Sequence, residues 1–184
     1  MGIFTLYFLY LLTQVIDVVN RRHIGTNDGT YVNSTSSNAE LKALAHKLTK
    51  NCLDNECRVQ SILNYITNIP YVINHYTANS PQETIQKNFG DCDDKSNLLI
   101  SLLHQLNIES YFVLVPKHIF VIVSLNNVQS KKALYLDGKP YYILESTAKN
   151  SSIGFPLTYK LDEISTIIEP FENRKLNIDN IEYK

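Results

Sequence analysis

The chain has no tryptophan, three cysteines and almost no excess charge in 184 residues. Three cysteines exclude a disulfide-dense mini-scaffold, and the odd count leaves at least one thiol unpaired within the chain. Lys and Arg number 17 against 18 Asp and Glu, for a net charge of −1. That balance lacks the basic footprint of a nucleic-acid binder, so no nucleic-acid partner is expected. No internal repeat, zinc-type cysteine spacing, Gly-rich phosphate loop or Asp-x-Asp-x-Asp-Gly calcium loop occurs, so neither metal nor cofactor is expected. What remains is 44% hydrophobic and 19% charged. This is a folded composition, long enough for one domain with its own core.

The segment 1–19 stands apart. Ile3 to Val19 reads IFTLYFLYLLTQVIDVV, with Asp17 its only charge, and Arg21 and Arg22 follow. Its length is at the short edge of a spanning helix. A membrane anchor or uncleaved export signal, placing the protein at a membrane or outside the cytoplasm, stands against an amphipathic helix lying on the domain or a partner. Residues 20–38, rich in Asn, Ser, Thr and Gly, read as an exposed polar linker. Residues 39–170 read as the folded domain and 171–184 as a polar tail that frays. Leu41, Leu44, Ala45 and Leu48 recur at helical spacing, as do Val59, Ile62, Leu63, Ile66 and Ile69. A short segment, Gln82 to Asn88, precedes a helix from Cys92 that buries Leu98, Leu99, Leu102, Leu103 and Leu106. Beyond Asn107 come runs rich in β-branched and aromatic residues: Ser110 to Val115, Lys117 to Leu125, Lys132 to Leu136 and Pro140 to Leu144. Asp137-Gly138 marks a hairpin turn between the last two. Helices followed by a strand meander predict an α+β fold with an antiparallel sheet.

Gly90-Asp91-Cys92-Asp93-Asp94 lies where a loop becomes a helix. Asp91 is a natural N-cap, with Asp94 three residues on. The Cys92 thiol then sits at a helix N-terminus that favours thiolate, and its backbone amide is free to donate to an oxyanion. The neighbouring aspartates act the other way and raise the thiol pKa. His118 opens an apolar strand, and Glu145 closes another. Together they offer nucleophile, base and base-orienter in chain order. Taken singly, each also reads as an ordinary structural residue: a buried cysteine, a rim histidine, an exposed strand-end glutamate. Cys52 and Cys57 bracket a short turn. They read either as a disulfide, leaving Cys92 the one free thiol, or as two reduced cysteines between helices.

The run from Pro81 to Tyr111 resembles the central motif of the transglutaminase-like cysteine enzymes. Pro81-x-Glu83-Thr84 leads, Gly90-Asp91-Cys92-x-Asp94 follows, and a Leu-rich helix ends in Leu106-x-Ile108. His118-Ile119-Phe120-Val121 looks like the family's second motif, and Glu145-Ser146-Thr147 like its third. The resemblance covers Ala39 to Tyr159. It implies a papain-like core of helices packed on an antiparallel sheet, with Cys92 as nucleophile, His118 as base and then acid, and Glu145 orienting the imidazole. The family more often has Asp at the third position, and tryptophans that here give way to Phe120 and Tyr142. Papain-like enzymes draw an oxyanion donor from a glutamine six residues before the cysteine. Gln86 has that spacing, with Tyr76 and Asn74 as alternatives. The chemistry implied is acyl transfer on amide bonds of a protein or peptide substrate through a thioester. Hydrolysis is expected before glutamine cross-linking, because no added domain for an amine-bearing substrate is visible. The rival is a non-catalytic module on the same fold.

Overall fold

A computed structural model describes residues 4–12, 33–73, 78–126 and 128–184. Residues 4–12 form helix α1, exposed along its length. Four further helices precede the sheet: α2 (Ala39–Leu48), α3 (Asn55–Asn68), α4 (Pro81–Lys87) and α5 (Cys92–His104). Each begins on a side-chain cap that satisfies a backbone N–H left orphaned at the helix start. Asn38 caps α2 and Asp54 caps α3. Ser80 with Glu83, and Asp91 with Asp94, form reciprocal capping boxes on α4 and α5.

The strands are β1 (Ser110–Val115), β2 (His118–Val123), β3 (Leu134–Leu136), β4 (Lys139–Leu144), β5 (Thr166–Glu169), β6 (Arg174–Lys175) and β7 (Ile181–Tyr183). They make one antiparallel sheet in the order β6-β5-β1-β2-β4-β3-β7. The fold is α+β, as expected. Both faces of the sheet are covered. Phe112, Leu114, Ile119, Val121, Val123 and Leu144 join the helices in one core. Val113, Val115, Phe120, Ile122 and Ile143 enter a second core, roofed by Phe155, Leu157, Tyr159 and Leu176. Two buried faces explain why β1 and β2 read as continuous apolar runs rather than alternating ones.

Helix α5 is the axis of the domain, and every residue from Asp94 to Leu103 is buried. Its apolar side meets the core. Its polar side is covered by a segment expected to be a free linker. Residues 33–38, the described part of the 20–38 span, lie against α5 as a strap. The Ser34 amide donates to Asn97 Oδ1 at 3.0 Å, the Ser36 amide to Ser101 Oγ at 3.0 Å, and Gln105 Nε2 to Ser37 Oγ at 3.0 Å. Asn33 Nδ2 bonds Asn173 Oδ1 at 3.0 Å. Polar composition reads as a tether when the partners are distant in sequence, but here it matches the polar stripe of α5. The 171–184 tail is likewise corrected. It pairs through β6 with β5 and through β7 with β3, because its backbone N–H and C=O groups complete both edges of the sheet.

Candidate active site

The site is assembled at the N-terminus of α5. Gly90 and Tyr71 form a parallel bridge. The Gly90 amide donates to Pro70 O at 3.2 Å and the Val72 amide to Gly90 O at 3.2 Å. A Cβ at Gly90 would lie 2.7 Å from Asp94 Cβ, so only glycine admits this close passage. Asp94 is fully buried. It accepts from the Asn79 amide at 2.6 Å, from Asn79 Nδ2 at 2.8 Å and from the Asp91 amide at 3.3 Å. The Gly-Asp-Cys-x-Asp sequence is thus a folding signal as well as a chemical one, because it ties α4 to the start of α5 and aims residue 92.

Cys92 is half-buried, with its Sγ 3.4 Å from Asp93 Oδ1. Cys92 packs against the core that Ile119 enters, which sets the sulfur near the first residues of β2 and within the influence of the Ile119 amide. Burial, then the charges of Asp93 and Asp91, push the thiol pKa well above its ordinary value, and the Ile119 amide acts the other way. These surroundings favour the neutral thiol at Cys92.

His118 is the first residue of β2 and pairs with Val115 across a tight turn in which Lys117 has φ 58°. Its Nε2 lies 2.9 Å from Glu145 Oε2. The two side chains are 17% and 11% exposed, dry enough for their attraction to be weakly screened. The other Glu145 oxygen accepts from the Thr147 amide at 3.0 Å and from Thr147 Oγ1 at 2.5 Å. Burial works to raise the Glu145 pKa. The His118 bond and charge, with the two Thr147 bonds, outweigh it and hold the carboxyl below the usual range. With Nε2 bound to a carboxylate, Nδ1 is the ring nitrogen left for the thiol. The imidazole also stacks on Tyr159, ring centroids 6.2 Å apart.

Two tyrosines of the site were not foreseen. Tyr71, half-exposed, lies within electrostatic reach of Cys92, Asp91, Asp93 and Glu145, and Tyr159 within reach of Glu145 and Cys92. Burial, chiefly, raises both phenols, so both remain protonated donors. Tyr71 comes from the end of α3 and Tyr159 from the loop after β4; no spacing in the sequence links either to the motifs. Among the expected oxyanion donors, Gln86 is exposed on α4, turned away from the buried Pro81 and Thr84 side. A short helix packed through Pro81 and Thr84 leaves that position to solvent. Tyr76 and Asn74 lie outside the described residues. Cys52 and Cys57 are bonded to each other, Cα–Cα 5.4 Å, and Cys92 is the free cysteine. Asp91, Cys92 and Asp93, all half-buried, could offer ligand atoms within 4.8 Å of one another.

The sequence model of the transglutaminase-like superfamily matches residues 42–141, more than half of the chain. The chain belongs to the transglutaminase-like superfamily. Cys92 and His118 lie inside the match, whereas Glu145 falls just beyond it. Membership and the geometry of the site together support a thiol-dependent enzyme. Similar solved structures include a candidate cysteine protease from Cytophaga hutchinsonii, 19% identical over 79% of this chain and 50% of that chain, with TM-score 0.48. A candidate protease from Parabacteroides distasonis is 15% identical over 76% of this chain and 27% of that chain, with TM-score 0.49. This transglutaminase-like chain spans half the length of the first and about a quarter of the second. No curated protein sequence gives a significant match.

Proposed function

We propose that this protein hydrolyses peptide or isopeptide bonds through a Cys92 thioester. The observation that carries the reading is His118 held by Glu145 at 2.9 Å at the head of β2, with Cys92 packed on the core that the next residue, Ile119, enters. His118 Nδ1 takes the thiol proton as sulfur attacks the amide carbonyl, and the carbon–sulfur bond forms. Glu145 stabilises the resulting imidazolium and fixes the ring. The Cys92 backbone amide, one of the orphan donors at the helix start, faces the developing oxyanion. The tetrahedral intermediate collapses, the C–N bond breaks, and His118 returns its proton to the leaving amine. Water, deprotonated by His118, then attacks the thioester and releases the carboxylic acid and the free thiol.

The catalytic unit is 33–184 rather than 39–170, since the strap and the terminal strands are integral to it. The same proposal places the protein at a membrane or outside the cytoplasm. Its supports are the exposed apolar helix α1 and the Cys52–Cys57 disulfide, a bond that persists in oxidising compartments. Among the described residues no helix is long and apolar enough to cross a membrane, so the proposal rests on the whole of segment 1–19. Carbonate extraction of membranes, with and without that segment, checks it.

The deciding experiment incubates peptide and isopeptide libraries with the wild type and with Cys92→Ala, with and without a fluorescent primary amine. Cleavage that needs Cys92 and proceeds without the amine supports hydrolysis. Amine incorporation without cleavage overturns it in favour of cross-linking, and inertness of the wild type favours a binding module.

A further inference from the structure

Lys95 is among the largest fully buried side chains of the described residues, 1% exposed, and nothing in the mechanism above uses it. It stands one helical turn after Cys92. Burying an ammonium is costly, and an apolar chain of the same length would fill the space without that cost. The ammonium Nζ donates to the Ile69 carbonyl at 2.9 Å. Ile69 caps the C-terminus of α3 and leads directly into Pro70 and Tyr71, which bridge to Gly90. Glu145 is the charged group whose field acts on Lys95 and favours its protonated form, against the burial that disfavours it. The flanking residues point to the same task. Asp94 holds Asn79 and the Asp91 amide, and Ser96 Oγ lies 3.1 Å from Ser146 Oγ, next to Glu145. Three consecutive buried polar residues therefore fasten the three segments around the nucleophile to one turn of α5.

We propose that Lys95 is a positioning residue for the Cys92–His118–Glu145 set. Its ammonium fixes the Ile69 carbonyl, and with it the rung that carries Tyr71 beside the nucleophile, while its charge backs the Glu145 carboxylate. The proposal rests on the catalytic reading of that set. The groups facing Glu145 are His118 from β2, Thr147 from its own loop, and Tyr71, Tyr159 and Lys95 from the segments packed around it.

The test is Lys95→Met, which keeps length and removes both donor and charge. Melting temperature, amide hydrogen exchange, the carboxyl NMR titration of Glu145 and iodoacetamide alkylation of Cys92 are compared with the wild type. The expected result is an unchanged or higher melting temperature. The Val72 and Gly90 amides exchange about tenfold faster, the scale of one lost buried hydrogen bond, and the Glu145 titration moves to higher pH. Unchanged exchange at those amides together with an unchanged Glu145 titration overturns the proposal. If Lys95→Met does not fold, Lys95→Gln carries the test, because it keeps an N–H donor without the charge. The Glu145 midpoint must still rise, and a wild-type midpoint overturns the electrostatic role. Exchange and titration need no turnover. An inert wild-type thiol whose alkylation ignores His118→Ala therefore defeats the catalytic reading separately.

Discussion

Glu145 Oε2 stands 2.9 Å from His118 Nε2 although the acid lies just past the end of β4 and the histidine opens β2. Antiparallel pairing explains the meeting: Leu144 is opposite Val121, so the end of β4 comes back beside the start of β2. Glu145→Gln keeps a hydrogen-bonding side chain but removes the charge that stabilises imidazolium. We expect kcat/KM to fall by about 10²-fold or more, the usual worth of a positioned acid–base group. Glu145→Asp shortens the reach and also loses activity, although Asp is the commoner residue in the family. A steady-state comparison of the three proteins checks this, and full activity in Glu145→Gln removes Glu145 from the mechanism.

The thiol is held protonated by burial and by two aspartates, so its alkylation by iodoacetamide in the substrate-free protein should keep accelerating above the ordinary thiol range. Asp93→Asn removes the negative charge that stands 3.4 Å from the thiol and leaves at most a neutral acceptor in its place. The sign is fixed: the thiol pKa falls, and alkylation near neutral pH quickens by roughly tenfold for each pKa unit recovered. A slower or unchanged rate in Asp93→Asn contradicts the electrostatic account of Cys92.

Strands β1 to β4 were legible because Val, Ile, Tyr and Phe cluster in short runs and Asp137-Gly138 supplies the turn, with φ 48° and 84°. Strands β5 to β7 were not. Arg174–Lys175 is two charged residues long, and its strand character comes wholly from its partner Glu169 and Ile168. The candidates Cys92, His118 and Glu145 stand out in the sequence because each sits in a local motif. Tyr71, Tyr159 and Lys95 do not, since their places around the candidate site arise from packing between distant segments. Nothing in Asp-Lys-Ser distinguishes a buried lysine from a solvated one. The strap at residues 33–38 was misread for the same reason, because its partners on α5 lie some sixty residues away, as the 63-residue separation of Ser34 and Asn97 shows.

Acid stability should carry the signature of Glu145. Its folded pKa is held below that of the unfolded chain, so its contribution is fully present above about pH 5 and is lost as pH falls through the folded value. Asp94 has the opposite sign, because burial raises its folded pKa and its ionisation works against the fold. The difference between wild type and Glu145→Gln isolates the first effect, since Asp94 is common to both. Chemical denaturation from pH 7 down to about pH 2 should show a steeper loss for the wild type than for Glu145→Gln. Parallel curves contradict the ion-pair assignment.

Gly90→Ala tests how tightly the nucleophile loop is built. The added methyl would meet Asp94 Cβ at 2.7 Å and Asp94 Oδ2 at 3.2 Å. Asp94 cannot swing away cheaply, because its carboxylate is buried and bonds Asn79 and the Asp91 amide. The loop must shift instead, lengthening the Gly90 to Pro70 bond and re-aiming Cys92. We expect a loss of about 1–3 kcal/mol in unfolding free energy, typical of overpacking a dry site. Cys92 alkylation should lose its dependence on His118 in the fraction that folds, because the thiol no longer meets the head of β2. A variant with wild-type stability and His118-dependent alkylation would mean that the loop yields without cost, and that the glycine is not what sets the sulfur's position.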